Sequence, residues 1–381
     1  MMNGSRQRQR LGVPPSISRK GWFTETETMW PGQKFSLALE EFSPDKSILF
    51  HERSDYQDIL VFRSAQYGNV LCLDGVIQLT ERDEFAYHEI MVHVPFFAHP
   101  NPKSICVVGG GDGGCLREIL RHSTVERVVL VEIDPMVVEV AKEFFATSTG
   151  NSKNFDDPRV EIVHQDAATF MGERENEFDI ILGDTSDPIG PAESLFQPDF
   201  YKSMYDALRP SGIVCVQAEC FWIHLDFISD LIACCADMFE TAEYMSTMVP
   251  TYPCGQIGFV VGCKGRVLSC RTPIHRELED NEGAILKEMK WYSFEQHVAA
   301  FTLPPFVQKR LDITCEIDPT VIDKTYAMTN DEYEDYSVRN EECCLLPILR
   351  SWFGQGLPNI LVGVGEDEDE EEIEENGTKS I

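Results

Sequence analysis

The chain has 381 residues, 43% of them apolar and 25% charged, so it can bury a sizeable core and is long enough for two domains with tails. Its formal net charge of −32 argues against nucleic-acid binding and favours cationic ligands. The sequence contains neither the apolar run of a membrane span nor the apolar core of a signal peptide, so we expect a cytoplasmic protein without membrane partners.

The thirteen cysteines are odd in number, and most of them lie in apolar runs such as GIVCVQAECFW and LIACCADMF. Both features favour buried, reduced thiols over a disulfide framework, as is usual in the cytosol. We therefore expect the core, and not a set of disulfides, to hold the fold together.

Two terminal segments lack the periodicity of folded elements. Residues 1–20 are basic and contain proline, which predicts a mobile leader. Residues 312–381 are predicted to be a C-terminal extension, in which one apolar stretch, 343–364, could dock on the protein or bind a partner. The end of this extension, 366–381, has nine acidic residues in its first ten positions and is predicted to be a disordered, solvated tail.

The first folded part, 21–80, alternates apolar and polar residues as half-buried strands do. The segments SLALEEF, YQDILVFRS and NVLCLDGVIQL carry this pattern, and Asp74-Gly75 is a typical two-residue hairpin turn. We therefore predict a small antiparallel β domain. The next segment, TERDEFAYHEIMVHVPFF, predicts a helix that is capped by Thr80 or Asp83 and closed by Pro95.

From Ser104 onward, strand-like and helix-like segments alternate until about Gly265. SICVVG is followed by GCLREILRH, for example, and RVVLVEID is followed by PMVVEVAKEFF. This alternation is typical of parallel strands that are joined by helices. For 81–311 we therefore predict an α/β Rossmann-like domain with a doubly wound, mostly parallel sheet, preceded by the small antiparallel β domain.

The stretch CVVGGGDGGCLREIL (106–120) combines a buried strand, a glycine turn and the start of a helix. Gly109, Gly111 and Gly114 fit the G-x-G-x-x-G pattern that places backbone N–H groups against a pyrophosphate. Asp112 does not suit that task, because a carboxylate about 4 Å from a pyrophosphate is repelled by roughly 4 kcal/mol at a dielectric near 20. The same carboxylate attracts an ammonium, which favours an adenosine compound with positive charge over NAD. The alternative role of Asp112 is to cap the following helix.

Two further acids follow successive strands. Glu132 ends RVVLVE, 18 residues after Gly114, where nucleotide-binding α/β folds place the carboxylate that accepts the ribose hydroxyls. Asp166 follows the next strand and could bond an adenine amino group. Each acid alone is compatible with a solvated strand end, whereas both in this order favour an adenosine site.

A third group of acids begins in the stretch ILGDTSDPIGPAESLF (181–196). Asp184 and Asp187 follow one strand and Glu219 follows the next, so that with Asp112 four carboxylates face one crevice at the carboxyl edge of the sheet. Metal binding is the alternative use of such acids. We expect no metal, because no histidine accompanies them in a ligand pattern and HEIMVH lacks the spacing of a zinc site. A pocket for a polycation uses all four carboxylates.

Long stretches of the chain resemble the spermidine synthase family of polyamine aminopropyltransferases. From Trp22 to about Phe306, over roughly three quarters of the chain, they are WFTETETMWPGQKFSL, YQDILVFRSAQYGNVLCLDGVIQLTERDEFAYHE, VVGGGDGGCLREI, VEIDPMVV, DTSDPIGPAESLF and PTYPCGQIGF. The resemblance implies a methyltransferase-like Rossmann domain behind a small N-terminal β domain, a homodimer, and neither a cofactor nor a metal. It also implies that putrescine attacks decarboxylated S-adenosylmethionine, which gives spermidine and 5′-methylthioadenosine.

The resemblance further implies a role for each matching residue. Asp112, in the turn with Gly109 and Gly111, would hold the aminopropyl ammonium of the donor, and Glu132 would bind its ribose. The remaining donor contacts would come from Gln57, His88, Asp166 and Ala167. Two departures from the family, at Ala167 and Gly183, leave the chemistry intact.

The acceptor side is implied in the same way. Asp184 matches the family's proton acceptor, and Tyr87 would assist it in catalysis. The path of putrescine would be lined by Tyr87, Asp184, Asp187, Tyr252, Glu219, Trp30 and Glu25.

Several other functions are compatible with parts of this pattern. Spermine or thermospermine synthase would keep the donor site and lengthen the amine pocket. A putrescine N-methyltransferase would use intact S-adenosylmethionine, against which Asp112 argues. The same residue disfavours an NAD dehydrogenase, and the complete set of acids disfavours a catalytically silent polyamine-binding scaffold.

Overall fold

The computed structural model describes residues 11–25, 33–41, 43–186, 190–265, 269–274 and 282–311. Several predictions therefore lie outside the described residues, namely those for Trp30, Asp187, residues 1–10 and the C-terminal extension 312–381 with its acidic tail 366–381.

The N-terminal part forms two small antiparallel sheets, as the alternating pattern predicts. In the first sheet, strand β1 (Trp22–Thr24) pairs with β2 (Ser36–Ala38). The second sheet has four strands in chain order, after the one-turn helix α1 (Pro44–Ser47): β3 (Ile48–Arg53), β4 (Asp58–Ser64), β5 (Gly68–Leu73) and β6 (Val76–Thr80). Asp74 and Gly75 form the predicted hairpin turn, with φ values of 49° and 83° as a type I′ turn requires.

Two features of this part differ from the prediction. Strand β3 was not among the predicted strands, because Phe50, His51 and Glu52 are all buried and the alternation of apolar and polar residues is lost. Residues 11–20 were predicted to be mobile but pack against the sheets instead. Ile17 is buried and bridges to Phe23, and the backbone of the segment is hydrogen-bonded to that of its neighbours.

Helix α2 (Glu84–Ala98) follows the N-terminal sheets and is buried along nearly its whole length. The prediction that Pro95 closes this helix is wrong, because the helix continues to Ala98. A proline in the last turn removes only one backbone hydrogen bond, so the helix can continue past it. The predicted side-chain cap is also absent. The Asp83 carboxylate instead accepts hydrogen bonds from the Thr80 hydroxyl and from the backbone and hydroxyl of Thr251.

The rest of the described chain forms a seven-stranded sheet of order β12-β13-β11-β10-β7-β8-β9. Its strands are β7 (Ser104–Gly109), β8 (Arg127–Val131), β9 (Val160–Val163), β10 (Phe178–Asp184), β11 (Leu208–Gln217), β12 (Thr241–Met248) and β13 (Gln256–Cys263). Strands β7 to β11 pair in parallel, and β13 runs antiparallel to both β11 and β12. The sheet is therefore mostly parallel, as predicted.

Helices pack on both faces of this sheet. They are α3 (Gly114–Ile119), α4 (Pro135–Phe144), α5 (Ser152–Phe155), α6 (Ala167–Gly172), α7 (Pro198–Ala207), α8 (Leu225–Ala236), α9 (Glu282–Glu288), α10 (Phe294–Ala300) and α11 (Pro305–Leu311). Alternate residues of β7 enter two different core clusters, Ile105 and Val107 on one face and Cys106 and Val108 on the other. Both faces are thus covered, as in a doubly wound fold.

None of the helices in the described part of the chain is long and apolar enough to cross a membrane. The ten cysteines in this part are all free thiols, and Cys254 alone among them is exposed.

Candidate active site

A cleft lies at the carboxyl edge of the central sheet, beside β7. The strand order runs from β7 to β8 on one side and to β10 on the other, and open α/β sheets bind ligands at such a reversal. The cleft is open to solvent, and residues of β5 and β6 contribute one wall. The cleft therefore lies between the N-terminal sheet and the carboxyl edge of the central sheet, where a ligand could contact both.

Most of the predicted site residues line this cleft. They are Gln57, Tyr87, His88, Gly109, Gly111, Asp112, Glu132, Asp166, Ala167, Asp184, Glu219 and Tyr252. Glu25 is not among the lining residues. Its carboxylate is buried and accepts the backbone N–H of Ile77, 2.9 Å away, so it supports the wall from behind.

The charge of the cleft is strongly one-sided. Among the described residues that line it there is no lysine or arginine, whereas five are acidic: Asp112, Glu132, Asp166, Asp184 and Glu219. A phosphate group placed here would meet mostly carboxylates, with His88 as the one lining residue among those described that can carry a positive charge, whereas an ammonium or a sulfonium would be attracted. The cleft therefore suits cationic ligands and disfavours dinucleotides.

The glycine turn after β7 brings Asp112 close to two other acids. Gly109 has φ = 75°, and a Cβ atom there would lie 2.1 Å from the Asp184 carbonyl oxygen. A Cβ atom on Gly111 would lie 2.7 Å from Glu132 Oε2. The turn thus needs glycine because its backbone touches the ends of β10 and β8, and this contact places Asp112 beside Asp184 and Glu132.

Asp112 has contacts on two sides. Its Oδ1 accepts the backbone N–H of Gly114, 2.6 Å away, so the alternative role at the start of α3 is present. The same oxygen lies 3.5 Å from His88 Nε2, and the side chain is 17% exposed to the cleft. The Asp112 carboxylate thus contacts the start of α3 and also faces the cleft.

Asp184 accepts a hydrogen bond at each carboxylate oxygen. The Tyr87 hydroxyl donates to Oδ1 over 2.9 Å, and the Cys115 thiol donates to Oδ2 over 3.2 Å. Burial, together with the nearby Asp112 carboxylate, raises the pKa of Asp184 to about 6. A carboxylate with this pKa is ionised at neutral pH and accepts a proton more readily than an exposed aspartate.

A second group of residues in the cleft has the features of a nucleoside site. Burial raises the pKa of Glu132 to about 7, and its Oε1 accepts the backbone N–H of Asp134, 2.8 Å away. Asp166 caps α6 by accepting the backbone N–H and the hydroxyl of Thr169, both at 2.8 Å, and Ala167 begins that helix. Gln57 Nε2 donates to Asp134 Oδ2 over 3.0 Å, which ties the N-terminal sheet to the central one.

The third part of the cleft lies between β6 and β11. Tyr252 donates its hydroxyl to the Gln78 carbonyl over 2.6 Å, and its ring meets that of Tyr87 edge to face, 6.0 Å between centroids. Glu219 has φ = 62°, a conformation that costs a non-glycine residue about 1–3 kcal/mol. Its carboxylate lies 3.2 Å from His224 Nδ1, so the turn directs a buried acid toward the cleft.

The sequence argument against a metal site was that no histidine accompanies the acids in a ligand pattern. The structure corrects that argument. His88, Cys115 and Asp184 place potential ligand atoms within 4.8 Å of one another. However, burial and the nearby Asp184 and Asp112 raise the pKa of Cys115 well above its usual value. The thiol therefore stays protonated and donates to Asp184, so Cys115 acts here as a hydrogen-bond donor to the carboxylate.

Three residues of the site were missed in the sequence. Cys115 lies one helical position past the glycine pattern and reaches Asp184 only through the tertiary structure. Asp134 contacts Gln57, which is far from it in the chain. Glu84 accepts from His88 Nδ1 at 2.8 Å, and here the i, i+4 spacing on one helix face is a signal that could have found it.

Two known families match the greater part of the described chain, up to residue 269. Residues 21–81 match the family described as spermidine synthase tetramerisation domain, and residues 84–269 match the spermine/spermidine synthase domain. These boundaries agree with the division into an N-terminal β part and a Rossmann-like part.

Individual proteins with the same assignment are similar over most of their length. A spermidine synthase of Dictyostelium discoideum is 46% identical over 77% of this chain and 99% of its own, and spermidine synthase 2 of Arabidopsis thaliana is 46% identical over 77% and 84%. A spermidine synthase solved in complex with the transition state analogue AdoDATO matches with a TM-score of 0.68 and 33% identity, over 81% of this chain and 98% of that one. The chain therefore belongs to the spermidine synthase family.

Proposed function

We propose that this chain transfers the aminopropyl group of decarboxylated S-adenosylmethionine to putrescine, which gives spermidine and 5′-methylthioadenosine. The observation that carries the proposal is the cleft itself, in which Asp184, hydrogen-bonded to the buried Tyr87, lies among four further acids and no described lysine or arginine. Relatives named spermidine synthase, and a structural neighbour solved with a transition state analogue, support the same reaction.

The donor would occupy the half of the cleft next to the glycine turn. Asp112 would bind the aminopropyl ammonium, and Glu132 would accept the ribose hydroxyls. Asp166 and Ala167, at the start of α6, would contact the adenine, with Gln57 and His88 completing the nucleoside and aminopropyl contacts. A donor with a carboxylate next to its amino group would be repelled by Asp112, so decarboxylation selects the substrate.

The chemistry at the reacting carbon follows from charge. The nitrogen lone pair of putrescine forms a bond to the aminopropyl carbon, and the carbon–sulfur bond breaks with its electron pair going to sulfur. The sulfonium thus leaves as a neutral thioether, so there is no developing oxyanion to stabilise. The obstacle is that putrescine is protonated at neutral pH, and the enzyme must remove one proton before the nitrogen can attack.

Asp184 is placed to accept that proton. The hydrogen bond from Tyr87 holds the carboxylate in position, and burial raises its affinity for a proton. Glu219 and Tyr252 lie beyond Asp184 and would hold the distal ammonium. Glu25 would act through the wall it supports, and the roles of Trp30 and Asp187 rest on the resemblance alone.

The wider properties of the protein belong to the same proposal. The match of residues 21–81 to a tetramerisation domain supports self-association of this chain. We propose that the self-associated form is a homodimer. The reaction requires neither a cofactor nor a metal, because the donor already carries its own leaving group. The net charge of −32 supports a cytoplasmic enzyme that binds neither nucleic acid nor membranes.

The deciding experiment is mass spectrometry of the products. The protein is incubated with putrescine or spermidine as the acceptor and with decarboxylated or intact S-adenosylmethionine as the donor. We expect spermidine and 5′-methylthioadenosine from putrescine and the decarboxylated donor. Spermine or thermospermine as the main product would show that the amine pocket accepts spermidine. N-methylputrescine would show that the protein is a methyltransferase. The absence of any product would indicate a protein that binds these ligands without catalysis.

A further inference from the structure

We propose that Glu84 is a positioning residue for the aminopropyl group: held by Arg117, it fixes the His88 imidazole so that Nε2 faces Asp112 and the ammonium bound there. This inference rests on the proposed function and adds a network behind the cleft. Glu84 and Arg117 do not line the cleft, so they act through His88.

The network is continuous from the cleft into the core. Glu84 Oε2 lies 2.8 Å from His88 Nδ1, and the Arg117 guanidinium donates to both carboxylate oxygens of Glu84, each over 2.8 Å. The Glu84 and His88 side chains are only 1% and 3% exposed. At the other end, His88 Nε2 lies 3.5 Å from Asp112 Oδ1. A bidentate arginine–carboxylate pair of this kind, with the carboxylate buried, holds a side chain in one orientation.

The imidazole is also held by packing. A Cβ atom on Gly114 would lie 2.3 Å from the His88 ring, so the ring rests directly on the backbone at the start of α3. The Tyr87 ring meets it edge to face at 5.2 Å. Glu84 contacts Nδ1, and Gly114 and Tyr87 pack against the ring. The second nitrogen, Nε2, therefore faces the cleft.

The charges around His88 come from every element that packs against it. Glu84 lies on the same helix, Asp112 on the glycine turn, Asp184 at the end of β10, and the protonated Cys115 on α3, with Arg117 behind Glu84. Burial disfavours a charged ring, but Asp112 and Glu84 together raise the pKa of His88 well above its ordinary value. Burial also opposes a charge on Glu84, yet hydrogen bonds from His88 and Arg117 lower its pKa to about 2. His88 is therefore an imidazolium between two carboxylates.

Donor binding must change this arrangement. The aminopropyl ammonium would place a second positive charge at Asp112, beside the imidazolium. If His88 releases its Nε2 proton to solvent, the like charges no longer repel, and the free lone pair accepts an N–H of the ammonium. Glu84 keeps the remaining proton on Nδ1, which is the condition for Nε2 to act as the acceptor. The affinity for the donor should then rise with pH, with about one proton released per donor bound.

The test compares two ligands that differ in the aminopropyl group, whose absence also removes the positive charge on sulfur. 5′-Methylthioadenosine has the nucleoside but no aminopropyl ammonium, so it does not use Nε2 of His88. Calorimetry with decarboxylated S-adenosylmethionine and with 5′-methylthioadenosine is run on the wild type, on Glu84→Gln, and on the matched control Glu89→Gln. Glu89 is a buried glutamate of the same helix that accepts backbone N–H groups of residues 290–292, away from the cleft.

The expected pattern is selective. Glu84→Gln should weaken the decarboxylated donor by roughly tenfold or more, the value of one hydrogen bond to a charged group, and leave 5′-methylthioadenosine within about twofold of wild type. Glu89→Gln should leave the ratio of the two affinities unchanged. If Glu84→Gln weakens both ligands equally, the role of Glu84 is purely structural and the proposal is overturned. If Glu84→Gln weakens neither ligand, the proposal is also overturned.

A second measurement uses the wild type alone, in case Glu84→Gln does not fold. Titrations in two buffers with different ionisation enthalpies count the protons exchanged on binding. Release with the decarboxylated donor but not with 5′-methylthioadenosine supports the proposal, and equal release with both overturns it. Spermidine production by the wild type is assayed separately, so that a failure of the proposed reaction is distinguished from a failure of this inference.

Discussion

The Tyr87 hydroxyl and the Asp184 carboxylate are joined by a hydrogen bond of 2.9 Å, and the two residues are 97 positions apart in the chain. Tyr87 comes from α2 and Asp184 from the end of β10, so the bond forms only when the long buried helix lies against the central sheet. The aspartate is thereby fixed where its second oxygen meets Cys115. A base that is half-buried, oriented and raised in pKa is suited to the removal of a proton from an amine.

Asp184→Asn should reduce turnover far more than donor binding. Loss of a general base typically lowers the rate by about 10²–10⁴-fold, whereas the donor contacts at Asp112 and Glu132 remain. Rates of spermidine formation and calorimetric donor affinity measure the two effects separately. Comparable losses in both would show that Asp184 is a binding residue and not the base.

The rate should depend on the ionisation of Asp184. Only the carboxylate form accepts a proton, and burial raises the pKa of Asp184 to about 6, so kcat/KM for putrescine at saturating donor should rise with pH through about 6 and then level off. Tyr87→Phe removes a hydrogen bond that lowers this pKa, and the rise should therefore move to higher pH. A profile that is flat from pH 5 to 8 would contradict the assignment.

Cys115 should tune the same group. Its thiol donates to Asp184 Oδ2, which lowers the pKa of Asp184, so Cys115→Ala should shift the acid limb of the profile to higher pH. Cys115→Ser retains a donor of similar size and serves as the matched control. If the alanine and serine variants give the same profile, the thiol contact has no influence on the base.

Asp112 should decide between the two adenosyl donors. Intact S-adenosylmethionine differs by a carboxylate, and each 1.4 kcal/mol of repulsion corresponds to a tenfold difference in affinity. Asp112→Asn should therefore reduce the preference for the decarboxylated donor by about tenfold or more. Calorimetric titration of both donors measures the ratio, and an unchanged ratio would exclude Asp112 as the source of the preference.

Asp184→Asn should also stabilise the protein against unfolding at neutral pH. The folded state raises the pKa of Asp184 from 3.8 to about 6, so it favours the protonated form, and stability is lost as pH rises through about 6. An asparagine escapes that loss, which predicts a gain of about 1–3 kcal/mol at pH 8. The gain should shrink toward pH 4, where aspartate is protonated in the folded state. Denaturation midpoints at both pH values test this dependence.

Local patterns predicted much of the fold but not all of it. The predicted strands SICVVG and RVVLVEID correspond to β7 and β8, because each contains a short apolar run bounded by polar or glycine residues. Strand β3 was not predicted, because two polar residues, His51 and Glu52, are buried in it, and His51 is hydrogen-bonded to the Gly12 carbonyl, 39 positions away. The extent of α2 past Pro95 likewise depends on the tertiary packing of its last turn.

The sequence by itself determined that Asp112, Glu132, Asp166, Asp184 and Glu219 lie at one edge of the sheet, since each follows a predicted strand and parallel strands end at one edge, and in the structure all five line the cleft. Only the tertiary structure decided how these acids are held and ionised. The contacts of Asp184 with Tyr87 and Cys115, and of His88 with Asp112, join segments that are distant in the chain. The pKa values depend on those contacts and on burial, and neither exists until the helices pack against the sheet.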